Sequence, residues 1–401
     1  MKKILYTICL ALLIICTNSY ATPQFSLSTG NRCAVCHTNY QGSGTRTEFG
    51  WNTARGFSIV NWDTLVGLNN IPPYSFTSNS ILDGKVSFSG DYRLQSSRSI
   101  RPGAERKWLS KQINIGTTID VASFLNLDFS YNFAENYYKN YGQNPWTASA
   151  IFMHPDYDLT LRVGKFQPSI GLRYDDHTSL IRLLANSFVY SSPIIAVDYS
   201  DFGAEASYDA INHNNQYVLN FVGGVFSTSN FERVLINARK GMESIINGAQ
   251  PSYIAKATFY ENKGISDFTN SYLGASLFIN NDLKMANTFG GVNFYNRVSL
   301  FGEFSHSYKN SIFTTNNAIA GVNFRVNDGL YLECRADQAL TNYIGAKYDA
   351  KTRQLIFSAR AFPLPFVELI PEFRLVDTEQ KPQYMTQYKA GVFFFQTHIF
   401  F

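Results

Sequence analysis

"YDLTLRVGKF", residues 157–166, decides the fold class. Tyr157, Leu159, Leu161 and Val163 fall on one side of an extended chain, and Asp158, Thr160, Arg162 and Gly164 on the other. A helical period would scatter these polar residues around the axis. A strand, with period two, gives one greasy face and one wet face. The pattern recurs along the chain. Leu125, Leu127, Phe129, Tyr131 and Phe133 alternate with Asn126, Asp128, Ser130 and Asn132, and Val367, Leu369 and Phe373 alternate with Glu368, Glu372 and Arg374.

About sixteen such runs follow residue 80, each roughly as long as a tilted strand needs to cross a hydrocarbon layer of about 30 Å. Clusters of Asn, Asp, Gly and Ser separate them. An open sheet in lipid leaves its edge groups unpaired, so a spanning sheet closes on itself. The expected fold is therefore all-β: a transmembrane antiparallel β-barrel of about 16 strands. A large soluble β-sandwich also alternates. Against it stand the length of the runs, the aromatics at their ends and the C-terminal "KAGVFFFQTHIFF" (389–401), which sets Phe393, Phe395, Ile399 and Phe401 on one face. That terminal aromatic strand resembles the sorting signal of bacterial outer-membrane barrels. One stretch breaks the rhythm: "YDDHTSLIRLLANSFVY" (174–190) reads either as a short helix near Ser179 folded into the barrel or as a long loop.

Composition agrees. The chain has 33 Phe and 25 Tyr, and only 16% of its residues are charged, against roughly 25% in a typical soluble domain. Residues 1–21 read as a signal peptide, with Lys2 and Lys3 ahead of an apolar run and Ser19-Tyr20-Ala21 at the cleavage site. A lipid anchor on Cys16 is the rival reading there, with Ile15 standing where a small residue is wanted. Without Lys2 and Lys3 the formal charge falls from +4 to +2, which argues for no nucleic-acid partner. Residues 22–70 form a short motif-bearing segment, 71–80 a linker carrying Pro72 and Pro73, and 81–401 the barrel.

The segment holds "TGNRCAVCHT", residues 29–38. Two cysteines two residues apart, followed by histidine, form the attachment site of a c-type haem: Cys33 and Cys36 through thioethers, His37 as proximal axial ligand to the iron. A disulfide, a redox pair and half a zinc site are the alternatives. Zinc needs two more ligands, and no further His or Cys follows before residue 80. Nor does this segment offer a methionine or second histidine as distal ligand, so that ligand is unknown. The barrel's candidates begin with His154 and His177, each beside acids in loop-like stretches, with His306, His398 and Met285 among the others. Cys334 reads as a small packing residue within a strand.

Pro23, Phe25, Thr29-Gly30, Cys33, Cys36, His37-Thr38 and Phe49-Gly50 together resemble the fused cytochrome–porins of the outer membrane, among them the iron-oxidising monohaem members. The match covers about thirty residues; beyond it the likeness is architectural. The chain departs from that pattern at Ser26 and Leu27, where the family often has a basic residue, and in "NYQGSGTRTE" (39–48), where it commonly has prolines. The resemblance implies one covalent haem c in a short cytochrome segment that plugs or caps a porin-like barrel. It implies outer-membrane lipid around the barrel of a Gram-negative bacterium, an extracellular donor such as Fe(II), and a periplasmic c-type cytochrome or other soluble carrier. The activity would be that of a ferrous-iron:cytochrome oxidoreductase. Three other readings stand beside it: electron transfer with another donor or acceptor, a diffusion porin with a structural or sensory haem, and a porin with a CxxC disulfide and no haem.

Overall fold

The computed structural model describes residue 27 and residues 33–38, 44–60, 78–100, 103–134, 146–154, 156–172, 179–185, 192–195, 199–211, 217–227, 250–261, 269–344, 348–381 and 388–401. The signal segment, most of the linker and His177 lie outside the described residues. Among the described residues the elements ahead of the wall are two short helices, α1 (Cys33–Cys36) and α2 (Glu48–Arg55), and a two-residue strand, Ser80–Ile81. The wall follows: β1 (Val86–Ser99), β2 (Lys107–Ala122), β3 (Leu125–Asn132), β4 (Trp146–Met153), β5 (Leu159–Phe166), β6 (Asp201–Ile211), β7 (Tyr217–Phe226) and β8 (Ser252–Glu261). Its second half is β9 (Thr269–Asn280), β10 (Leu283–Phe294), β11 (Val298–Lys309), β12 (Phe313–Asn327), β13 (Leu330–Tyr343), β14 (Tyr348–Leu364), β15 (Val367–Lys381) and β16 (Tyr388–Phe400).

Each strand pairs antiparallel with the next, and β16 returns to β1 from Val392↔Ser99 to Phe400↔Asp91. The result is a closed barrel of 16 strands. Phe401 and Gly90 exchange both backbone hydrogen bonds at 3.0 Å, so the last residue completes the seam. No helix among the described residues is long and apolar enough to cross a membrane; the chain crosses with strands.

The alternation holds in three dimensions. Leu159, Leu161 and Val163 are exposed on the outside, while Thr160 and Arg162 are buried inside. Arg162 bonds Asp128 at 2.8 Å across the inner wall. Exposed aromatics collect at both ends of the outer face: Tyr131, Phe133, Trp146 and Phe202 at one, Phe124, Tyr208 and Tyr295 at the other. Trp146 and Phe202 meet edge to face at 5.8 Å. An apolar band between two aromatic girdles is the outer surface that lipid requires. Cys334 lies half-buried on the outer row, in register with Val322 and Phe357.

The two ends differ. Connections 133–145, 167–200 and 227–251 leave from one end, whereas the end that carries the N-terminal segment and the C-terminus is joined by turns such as 123–124, 328–329 and 365–366. Connection 167–200 turns inward. Where a helix or a plain loop was expected around Ser179, there is one 3₁₀ turn, Leu180–Arg182, leading into a two-residue strand, Leu183–Leu184, that pairs with Ser192–Pro193. Ser179 makes no side-chain cap hydrogen bond, and the wall takes over that task. The Asn317 amide donates to the carbonyls of Leu180 (2.9 Å), Ile181 (3.1 Å) and Leu183 (2.8 Å). The Tyr343 hydroxyl donates to the Ala185 carbonyl at 2.7 Å. Leu180, Leu184, Ile194 and Ile195 complete an apolar core with Phe278, Met285 and Phe313 of the wall. Long-range fit, not local helix propensity, sets the loop's shape.

Two outcomes are expected. Leu161→Arg puts a charge on the lipid face and should lower unfolding free energy in lipid vesicles by about 2–4 kcal/mol if it lies near the midplane. Urea titration of the vesicle-inserted barrel measures it. Asn317→Ala strands three loop carbonyls at about 1–3 kcal/mol in total. Hydrogen-exchange protection of residues 180–185 should then fall at least about tenfold.

Candidate functional site

α1 is a single helical turn that sets positions 33 and 36 three residues apart on one helical face, and His37 follows directly as the first bridge residue. The chain then returns as a short rung: Thr47 N–H donates to the Cys36 carbonyl at 3.1 Å and Thr38 N–H to the Thr45 carbonyl at 3.0 Å. These two bonds flank His37 and Arg46, which face each other antiparallel. The pair is therefore of the non-hydrogen-bonded kind, with both side chains on one face and Cβ atoms about 4.5–5.5 Å apart.

α2 closes over this turn. Thr47 is its N-cap: its hydroxyl accepts from Gly50 N–H at 3.1 Å and donates to the Val35 carbonyl at 2.7 Å, so one side chain ties both helices. Gly50 lies against the carbonyl of Cys36, and a Cβ there would come within 2.1 Å of that oxygen. This contact is the physical reason for glycine at the second position of the Phe49-Gly50 pair.

The segment is anchored to the wall at four places. Trp51 is fully buried, its ring 4.4 Å from Phe366, in a core with Tyr331, Phe362 and Phe400 at the short-turn end. Ile59 N–H donates to the Phe362 carbonyl at 2.8 Å, beside Gly329, which adopts φ +80° and has no room for a Cβ next to Ile59. Thr45 and Thr38 reach Ser89 and Thr118 on the inner faces of β1 and β2, each at 3.4 Å. Leu27 is buried against Tyr272, Phe289, Phe301 and Ile319 of β9–β12 and against Ile181 of the inward loop. β1 and β9 are eight places apart in a ring of 16, so the N-terminal segment touches opposite sides of the lumen. It occupies the mouth as a plug. Leu27 is its apolar anchor.

Charged side chains line the lumen beyond the plug. Arg93 forks onto Asp91 (3.0 and 3.1 Å), Arg335 onto Asp337 (2.8 and 3.2 Å), and Arg360 meets Glu368 at 3.1 Å. His398 stands between Glu368 (Nδ1, 2.7 Å) and Asp91 (Nε2, 3.2 Å). Arg374 pairs with Glu372. A wall whose fixed charges are mutually paired stays polar without leaving a lone desolvated ion.

The motif residues suit a c-type haem. Positions 33 and 36 lie one helical turn apart with His37 next in the chain, Cys36 and His37 are half-buried, and the Nδ1 of His37 is a buried atom. A proximal ligand turns Nδ1 toward protein and offers Nε2 to iron. The distal candidates are placed less helpfully. His154 is exposed on the 154–158 turn, its ring tilted against Tyr157 at 4.7 Å, with Nδ1 accepting from Asp156 N–H at 3.2 Å. His306 faces outward and bonds Asn316 at 2.8 Å. Met285 is packed in the loop core, and His398 is held by its two carboxylates. Among the described residues no cluster of three or more His, Cys, Asp and Glu side chains forms a metal site.

No protein-family model matches the sequence, and no curated protein matches it. Solved structures do match in fold. OprB of Pseudomonas putida has a TM-score of 0.53 at 12% identity, over 80% of this chain and 95% of that one. An anion-selective porin from Comamonas acidovorans has a TM-score of 0.50 at 10% identity, over 79% and 99%. The outer-membrane channel DcaP of Acinetobacter baumannii has a TM-score of 0.50 at 9% identity, over 79% and 97%. The fold is that of the outer-membrane porins. At these identities the likeness concerns the barrel alone.

Gly50→Ala should push α2 off the Cys33–Cys36 turn at a cost of about 1–3 kcal/mol, as overpacking does. Trypsin cleavage after Arg55, at the end of α2, should accelerate about tenfold, while the barrel's urea midpoint stays unchanged.

Proposed function

We propose that this chain is an outer-membrane monohaem c-type cytochrome joined to a porin-like barrel. It carries electrons between an extracellular donor, ferrous iron in the first instance, and a periplasmic c-type cytochrome. One observation carries the reading: the Cys33–Cys36–His37 turn is docked in the short-turn mouth of a closed barrel.

A covalent haem at that turn supplies a reversible one-electron couple. The protein's own residues do the rest. Cys33 and Cys36 would hold the group through thioethers. His37, whose Nδ1 is buried, would offer Nε2 to the iron. α2, with Trp51 beneath it, covers the turn and keeps bulk water from one side. In bacterial barrels the short turns face the periplasm, so the motif lies within reach of a soluble carrier there. A donor on the far side is separated by a layer of about 30 Å. It must therefore enter the lumen, which favours a small soluble ion over a bulky reductant. Each ferrous ion leaves as ferric, and its electron leaves with the carrier.

An anaerobic visible spectrum of the purified protein, before and after ferrous iron at mildly acidic and neutral pH, tests this. Reduced c-haem bands are expected on iron addition. They should vanish, together with the covalent mass increment, in the double variant Cys33→Ala, Cys36→Ala. A haem reduced by dithionite and untouched by iron would move the donor elsewhere or reverse the electron flow. A chain with no haem would be a porin.

A further inference from the structure

We infer that the outer face of the barrel binds the phosphates of the outer leaflet's phosphorylated glycolipid through Arg98, Arg353 and Lys389 at the long-loop rim. The inference concerns the lipid face and is independent of the haem reading above.

The argument begins with the outward rows around the seam. The connection 382–387 joins β15 to β16 at the end opposite the plug. Just inside it, Lys389 of β16 stands in register with Asp377 of β15, and Asp377 with Arg353 of β14. Below them come two apolar rows, Gly391–Leu375–Leu355 and Phe393–Phe373–Phe357. Leu375, Phe357 and Phe393 are exposed to lipid. Arg98 of β1 is in register with Phe393, on the same outer face. On each of these four strands, this is the first charged outward residue met on leaving the apolar band toward the loops. Tilt shifts that crossing from row to row between neighbouring strands, so the boundary runs from Arg353 through Lys389 to Arg98.

The consequence is electrostatic. Arg98, Arg353 and Lys389 are exposed cations, and Asp377, half-buried between two of them, offsets one charge. One row nearer the loops Lys351 faces Glu379, where the signs balance. Across the barrel, on β3, β4 and β6, the same end of the outer face carries the aromatics Tyr131, Trp146 and Phe202 instead. The cationic sector is therefore local. A cation beside hydrocarbon is stable where an anion meets it. Short turns face the periplasm, so this rim lies in the outer leaflet, whose glycolipid is an acylated disaccharide with a phosphate at each end. Arg353 and Lys389 are two strand spacings apart, about 10 Å, comparable with the length of a disaccharide. Arg353 Nε donates to the Gln338 side-chain oxygen at 3.1 Å, which holds the guanidinium along the outer face. Such a planar fork matches phosphate oxygens. The acyl chains then lie on Leu375, Phe357 and Phe393.

Native mass spectrometry of the full-length, detergent-purified protein, titrated with bisphosphorylated lipid A and with its dephosphorylated form, tests this. Each cation at an anionic lipid surface contributes about fivefold in affinity. The triple variant Arg98→Gln, Arg353→Gln, Lys389→Gln should therefore bind bisphosphorylated lipid A about a hundredfold more weakly and the dephosphorylated form as the parent does. Lys85→Gln, which removes an exposed charge at the short-turn end, should bind both lipids as the parent does. Should the triple variant fail to insert, Arg353→Gln and Lys389→Gln singly read the loss at about fivefold each. Equal affinity of the parent for the two lipids overturns the inference and leaves a rim of solvated charges. A triple variant that binds like the parent, or a Lys85→Gln variant that loses as much, also overturns it.

Discussion

Everything in this chain depends on the hydrogen bonds between its last strand and its first. Lipid offers no partner to an unpaired backbone group, so a sheet that spans a membrane must have no edge. β16 on β1 removes both edges at once, and the Phe401–Gly90 exchange carries the pairing to the final residue. Closure then dictates side-chain chemistry. Every strand presents one row to lipid and one to the lumen, and each row has a single acceptable character. The charges of Asp128, Arg162, Arg335 and Asp337 are tolerable because they point inward and pair, Arg162 with Asp128 and Arg335 with Asp337.

Closure also creates a problem that the rest of the sequence solves. A ring of 16 strands encloses more space than its own inward side chains fill. The chain narrows that space twice, by different means. The 167–200 connection is held by wall groups aimed at its backbone, Asn317 and Tyr343 among them, and by a shared apolar core. The N-terminal segment is held by anchors on opposite sides, Leu27 against β9–β12 and Trp51 at the mouth. Leu27 touches Ile181, so the two fillings meet. A plug that packs on the inward loop has its depth in the lumen set by that loop.

The legible parts of this structure are those with a short period or a fixed spacing. Alternation in 157–166 and 125–133 is local, and it identified outward and inward rows that the folded barrel keeps. Cys33, Cys36 and His37 are legible because their chemistry needs adjacency. What was illegible is non-local. Nothing in "DHTSLIRLLAN" announces that Asn317, far along the chain, will take three of its carbonyls. The apolar spacing there imitates a helix because the residues pack on one wall. Leu27 is an unremarkable leucine until β9–β12 surround it. Gly50 could be noted from family resemblance, but its cause, the Cys36 carbonyl 2.1 Å from where a Cβ would sit, is a tertiary contact. Arg46 gave no signal in "GTRTE", since its partner His37 is defined only once the hairpin is folded.

The motif's location follows from the same seam. The short-turn mouth is where both ends of the wall arrive, and there the final aromatic has two neighbours to satisfy. Phe400 faces inward, beside the plug, while Phe393 and Ile399 face lipid. One strand thereby serves membrane, closure and plug in successive residues. The segment ahead of β1 is tethered to that strand's neighbour through Asn79, which donates to both the Arg46 and Phe88 carbonyls. Docked at the seam, it borrows Trp51's aromatic surroundings and β16 as its other wall. The barrel therefore completes the small domain, and the small domain fills the barrel.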